Sequence, residues 1–231
     1  EKSIASSYLL GLYHADEENP HNIKAADTEI PPIPFSEAVD FLKSKVPLTK
    51  NEWLTLEPKL RFRAFTVAKL GIVEEIEKAK QILAKAIEDG GTYASTWQIV
   101  KETLNRKGTL NPNYWETVFR TNTQSAYVAG KLQKYENTGV KAYQLMVVED
   151  SRTSRICRNL LSTSGYGMIL PVDHTFWKTY GFPPYHFNCR TSIRPIYSSM
   201  IGKPGNSVDN PSMNDFRRRK FKPQKGFGGN P

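Results

Sequence analysis

The spacing of apolar residues changes once along this chain, and that change limits what the chain can fold into. In "GIVEEIEKAKQILAKAIEDGG" residues Ile72, Ile76, Ala79, Ile82, Leu83, Ala86 and Ile87 fall on one stripe that stops at Gly90-Gly91. This is the three-to-four spacing of a helix with one buried face, ended by glycine. "TYASTWQIVKETLNRKG" repeats the design on a shorter scale, with Trp97, Val100 and Leu104 inward and Gly108 as the stop. "NPNYWETVFRTNTQSAYVAGKLQKYENTG" predicts a second long helix, opened by Pro112 in its first turn and stopped around Gly139. Upstream, Ser36 can cap "EAVDFLKSKV", and Thr49 with Glu52 three residues on is the capping-box spacing.

At "KAYQLMVVED" the period falls to two. Tyr143, Leu145 and Val147 alternate with Gln144, Met146 and Val148, which predicts a strand ending at Asp150. "RTSIRPIYSS" is its candidate partner, and Pro195 places that partner at a sheet edge. The expected fold is therefore α+β. A predominantly helical array runs from about 35 to 138, a small strand-containing lobe follows from 139 to 200, and the two share one core.

Between the two strands lies an excursion that holds both cysteines and two of the four histidines, Cys157, His174, His186 and Cys189. Long excursions inside a domain are usually functional or crosslinked. His186 and Cys189 stand at a His-x-x-Cys spacing, and Cys157 and His174 would complete a tetrahedral Cys₂His₂ set for zinc. A Cys157–Cys189 disulfide and a pair of reduced, buried thiols are the other readings. A thiol enzyme, with Cys157, His186 or His174, and Asp150 as a triad, is a fourth, and spacing alone does not establish its geometry. Asp150 with Arg152 reads as an ion pair at the exit of the strand, with Thr153 or Ser154 starting the next helix. Trp177 reads as core.

Composition bounds the rest. Hydrophobic residues are 39% and charged residues 24% of the 231, near the globular average. No apolar run approaches the roughly 20 residues that a bilayer span needs. The chain starts without Met and without a secretory signal, so it reads as a fragment or a processed product. Residues 1–34 hold a short apolar stretch, "SIASSYLLGLYHA", and then a connective segment with Pro20, Pro31, Pro32 and Pro34. The net charge is +9, and five of those charges lie in the last 29 residues. This segment, 201–231 in outline, is rich in Gly, Pro and Asn, and reads as a disordered basic arm. Its candidate contacts to DNA or to a protein partner are Arg217, Arg218, Arg219, Lys220, Lys222 and Lys225, interleaved with Phe216 and Phe221.

The order of "RTNTQSAYVAGK" from Arg120, "EDSRTSRIC" from Glu149 and "LPVDHTFWKTYGFPPYHFNCR" from Leu170 resembles the phage Mu F-like minor head protein family, or phage head morphogenesis domain. "PFSEAVDFLKSKVPLTKNEW" and "RAFTVAKL" extend the resemblance, which runs from about Pro34 to Tyr197. It implies a structural, non-enzymatic protein of the virion head, made in the host cytoplasm and associated with portal, major capsid protein or packaged DNA. It also implies that Asp150, Arg152, Thr153, Cys157, Pro183, Pro184, Cys189 and Arg190 gather at one place in a structural motif, with no membrane involved. Cys189-Arg190-Thr191 stands where many relatives carry Cys-Arg-Cys, which favours a packed knot over a family-wide metal site. The alternative in another class is an effector delivered with the particle, against which the chain shows no separate catalytic domain.

Overall fold

A computed structural model describes residues 36–104, 108–162 and 165–227. The segment and Pro-rich linker expected over 1–34 lie outside them. The helical part comprises α1 (Ser36–Ser44), α2 (Lys50–Thr55), α3 (Val73–Glu88), α4 (Tyr93–Thr103) and α5 (Pro112–Tyr135). A parallel two-residue pairing joins β1 (Val46–Pro47) to β2 (Ala64–Phe65), with a 3₁₀ turn at Pro58–Arg63 between them. The caps form as their residue types dictate. Thr49 Oγ1 accepts from Glu52 N while the Glu52 carboxylate accepts from Thr49 N at 2.8 Å, and Asn111 Oδ1 accepts from Tyr114 N at 2.9 Å.

The stripe on α3 buries Ile76, Ala79, Leu83, Ala86 and Ile87, as its spacing predicts. Ile72 instead lies just outside the helix at its N-cap, half exposed. Lys80 sits on the buried face. Its ammonium donates to the carbonyls of Lys43 (3.0 Å) and Lys45 (2.9 Å) and pairs with Glu77. A cation placed where α1 ends satisfies carbonyls that the helix leaves open.

The sheet follows α5 in the order β4-β3-β5, all antiparallel: β3 is Ala142–Met146, β4 Ile169–Pro171 and β5 Ser192–Ile196. The expected partner of β3 forms, with Pro195 on an edge strand. The third strand comes from inside the excursion, and β3 is therefore central and ends at Met146 rather than Asp150. Beside it the chain approaches so closely that a Cβ at Gly167 would lie 1.5 Å from the Leu145 carbonyl oxygen. Three short helices complete this lobe: α6 (Arg155–Arg158), α7 (Thr175–Tyr180) and α8 (Met213–Arg218).

Helix α5 is the spine. At about 1.5 Å per residue its 24 residues extend about 36 Å. Trp115, Val118 and Phe119 of its first half, with Ala126 just past the middle, join the core built with α1, α3 and α4. Its second half gives Val128 and Tyr135 to a separate aromatic-rich core under the sheet. The expected single core is thus two main clusters, and half-buried Tyr127 packs against both.

The C-terminal segment differs most from the sequence expectation of a disordered arm. Phe216 is fully buried and Phe221 nearly so, inside the second core. The Phe216 ring lies 4.7 Å from that of Phe176, and Phe221 lies 5.0 Å from Tyr180 and 5.3 Å from Tyr185. Ser212 and Asp215 form a capping box that starts α8, and Lys220 takes a left-handed φ of 56° that turns Phe221 back inward. Two buried aromatic rings supply the apolar surface that the segment's average composition conceals. Trp177 is core, as its sequence reading holds, stacked on Phe182 at 4.6 Å.

Candidate functional site: a Cys/His/Cys cluster behind an ion-pair clamp

The chain leaves β3 through a turn written by its own side chains. Thr153 Oγ1 donates to the Val148 carbonyl (2.6 Å) and accepts from Asp150 N (2.8 Å), while Asp150 Oδ1 accepts from Arg152 N (2.8 Å). Short polar side chains that bond nearby backbone favour such turns. Ser154 then caps α6 by accepting from Cys157 N at 3.2 Å, which sets Cys157 inward.

Forty residues later, Arg190 returns to the same turn. Its Nη1 and Nη2 donate to Asp150 Oδ2 (2.8 Å) and Oδ1 (2.6 Å), a two-pronged ion pair. The Arg190 guanidinium, by these bonds, holds the Asp150 carboxyl well below the usual carboxylate range. Arg152, the partner expected from the sequence, sits at 3.5 Å from Asp150 and is mostly exposed, so Arg190 is the principal partner. The loop before Arg190 is pinned to α5: Asn188, with a left-handed φ of 56°, donates to Thr121 and Thr117. The peptide bond between Pro183 and Pro184 is cis.

The clamp sets Cys189 against Cys157. Their sulfurs are 3.7 Å apart, and His186 Nε2 is 3.1 Å from Cys157 Sγ. The donor atoms of Cys157, His186 and Cys189 all lie within 4.8 Å of one another. His186 Nδ1 is 2.7 Å from the Phe187 carbonyl. A carbonyl can only accept, so Nδ1 carries the hydrogen and Nε2 of the neutral ring turns a lone pair toward the sulfurs and Ser154 Oγ, which is 2.8 Å away. Hydrogen bonding with Cys189 first, then with His186, Thr191 and Ser154, pulls the Cys157 thiol down to about 4 against the effect of burial. Cys189 is driven the other way, far above its usual range, by its bond to Cys157 and by burial. The bond to Cys157 raises the His186 pKa.

Three of the four residues expected as zinc ligands therefore meet, and the fourth does not. His174 caps α7, its Nδ1 accepting from Phe176 N (3.1 Å) and its Nε2 donating to the Pro211 carbonyl (2.9 Å). Both ring nitrogens are committed there. Ser154 and Thr191, whose Oγ1 donates to Cys157 Sγ at 3.1 Å, belong to the cluster and were not assigned to it from the sequence. The cap spacing from Ser154 to Cys157 was the available signal.

Chemically, the cluster can hold a metal ion, or it can stand as a thiolate–imidazolium pair. In a tetrahedral site with metal–sulfur bonds of about 2.3 Å, two sulfurs are about 3.7 Å apart. The sulfurs here match that edge. It is a poor thiol nucleophile site: both cysteines are almost fully buried, and the carboxylate that would orient the imidazole is held by Arg190. The cleft outside the cluster, bounded by Arg152, Ser154, Asn188 and Thr191, is about 20 Å³. One water needs about 10–15 Å³, so a substrate has no room.

The surface of the C-terminal segment is the second candidate site. Phe216 and Phe221 point inward, while Arg217, Arg218, Lys220, Lys222 and Lys225 are exposed around them. Arg219 instead turns in, donating to the Leu161 carbonyl at 2.5 Å. Arg217 bonds Asn214 and Arg218 lies 3.6 Å from Asp215.

Fold and clamp together define a two-lobed α+β protein, built on one long helix and closed by a Cys/His knot. The chain belongs to the family described as Phage Mu protein F like protein, whose model matches residues 77–194, from α3 through the clamp and cluster into β5. It is 24% identical over 196 residues to the putative capsid assembly protein F of Escherichia phage Mu, a match that covers 76% of this chain and 43% of that protein. The chain thus spans less than half the length of this curated relative. No solved structure matches it. Among the described residues, no helix is long and apolar enough to cross a membrane.

Proposed function

We propose that this chain is a structural protein of a phage or prophage head, acting in capsid assembly and not as an enzyme. The observation that carries the reading is the family match, which spans residues 77–194 from α3 into β5 and so includes Asp150, Cys157, His186 and Cys189. The name of the Mu relative, a putative capsid assembly protein, agrees with it. In this reading the chain sits in the virion head, after assembly in the host cytoplasm, and bridges portal or major capsid protein to packaged DNA. Mass spectrometry of purified particles tests it: the chain should copurify with capsid protein, and deletion of its gene should leave no filled heads. Filled, infectious heads from the deletion strain would contradict it.

Within this reading the cluster carries structural zinc on Cys157, His186 and Cys189. The His186 Nδ1–H held by a backbone carbonyl is the arrangement that fixes a metal-bound imidazole. The five exposed cations of the C-terminal segment contact DNA phosphates. Each neutralised phosphate lowers the slope of log K against log salt by about 0.9, so removing all five charges should flatten the slope by about 4.5. An unchanged slope would assign this surface to a protein partner.

A further inference from the structure

A cavity of about 270 Å³ lies between the first half of α5 and the segment that runs from β1 through β2. Its walls are mainly apolar, with Trp53, Phe62, Ala64 and Val118 on them, and Phe187 and Phe227 close it from the C-terminal lobe. An engineered apolar cavity of about 150 Å³ takes up benzene, so this one has room for a phenyl ring and a short chain.

What sets this cavity apart is the polar chemistry built into an apolar wall. Lys45 is 5% exposed, lies over the Phe41 and Phe62 rings at 4.9 and 5.2 Å, and donates to Ser125 Oγ at 3.2 Å. That leaves two of its three donors without a hydrogen-bond partner among the described residues. Arg61 and Thr66 line the same cavity, and beside it their Nε and Oγ1 atoms are shut off from solvent with no hydrogen-bond partner among the described residues. Arg61 is fixed in place, its guanidinium 5.0 Å from the Trp53 ring and its Nη2 bonded to the Leu54 carbonyl at 3.0 Å. Buried donors are almost always paired, and leaving them unpaired is costly. Two orphans and a buried ammonium on one small cavity call for an acceptor of negative charge.

We propose that this cavity binds a carboxylate carried on a small apolar body, with Lys45, Arg61 and Thr66 meeting the acid and Trp53, Phe62 and Val118 enclosing the apolar part. The acid comes either from a free small molecule or from the C-terminal carboxylate of a partner chain ending in an apolar residue. Burial holds the Lys45 pKa at about 7, and a bound carboxylate would restore its full charge. Neither the Cys/His/Cys cluster nor the cation surface takes part, so the proposal stands independently of the head-protein reading.

The test is a titration of the purified chain followed by amide and indole NMR shifts. Four probes are used: 3-phenylpropionate, its primary amide, and acetyl-Gly-Phe with a free or an amidated C-terminus. Saturable shifts centred on Trp53, Ala64 and Val118 are expected for the acids and at least about tenfold weaker binding for the amides, the usual scale for losing a bond to a charged group. Tighter binding of 3-phenylpropionate identifies a free acid as the source, and tighter binding of acetyl-Gly-Phe acid a chain terminus. Lys45→Met should weaken both acids about tenfold and leave the amides unchanged. Thr66→Val, nearly equal in shape, should weaken them less, and Val118→Trp should abolish binding by filling the space. Absence of saturable shifts, equal binding of acid and amide, or acid binding untouched in Lys45→Met would each overturn the proposal.

Discussion

Replacing Phe216 by alanine tests whether the basic C-terminal segment belongs to the fold. The ring is fully buried and touches Phe176, Tyr180 and Phe221, with centroids 4.7, 6.4 and 6.2 Å away, and His174 at 6.2 Å. Truncating a fully buried Phe costs about 3–5 kcal/mol, from lost transfer energy and from the cavity that stays behind. For a chain of this length 1 kcal/mol moves the melting temperature by about 2–4 °C, so Phe216→Ala should melt roughly 10 °C lower by calorimetry. Arg217→Ala, one residue along and exposed, should stay within about 0.5 kcal/mol of the parent. Trypsin should cut the variant faster after Arg217, Arg218 and Lys220, because loss of Phe216 frees the segment. Equal melting temperatures for the parent and Phe216→Ala would refute the packing argument and return the segment to a solvated arm.

Two further substitutions probe the strand lobe and the clamp. Gly167→Ala puts a Cβ into the Leu145 carbonyl and forces β3 away from the Leu161–Gly167 bridge, so a loss of about 3 kcal/mol is expected in chemical denaturation; a loss below about 1 kcal/mol would show that the contact yields. Asp150→Asn removes the carboxylate that Arg190 grips. The folded pKa of Asp150 is depressed, so its stabilisation is fully present above the unfolded value near 3.9 and fades as pH falls below it. The parent should therefore melt higher than Asp150→Asn at pH 7, and the gap should narrow as pH falls below about 4 and close only below the depressed folded value; a gap of the same size at pH 7 and pH 2 would place the effect elsewhere.

How much of this was legible in the sequence depended on how local the cause was. Thr49, Glu52 and Ser154 act on backbone three residues away, and their helices follow from local spacing. β5 was legible because Ile193 and Pro195 mark an alternating edge strand. β4 was not, since Ile169–Pro171 is too short to show a period and forms through pairing with β3. The clamp joins Asp150 to Arg190 across forty residues, where Arg152 was the nearer cation in sequence. Counting Cys and His singled out four candidate ligands, but residue type cannot say that one nitrogen of His174 caps α7 and the other bonds the Pro211 carbonyl. In "FRRRKFK" the charges dominated the composition, while the two Phe residues decide where the segment goes. The cavity beside α5 is assembled from residues 45 to 227 and left no local signal.

The most direct test of the proposal that the Cys/His/Cys knot closing the second lobe holds a metal ion is the zinc content of the purified chain by mass spectrometry, measured with alkylation of its thiols. About one zinc per chain is expected, with Cys157 and Cys189 shielded from alkylation until a chelator removes the metal, and with the melting temperature falling on removal because metal binding is coupled to folding. Zinc at background levels, with both thiols free to alkylate or joined as a disulfide, would contradict it.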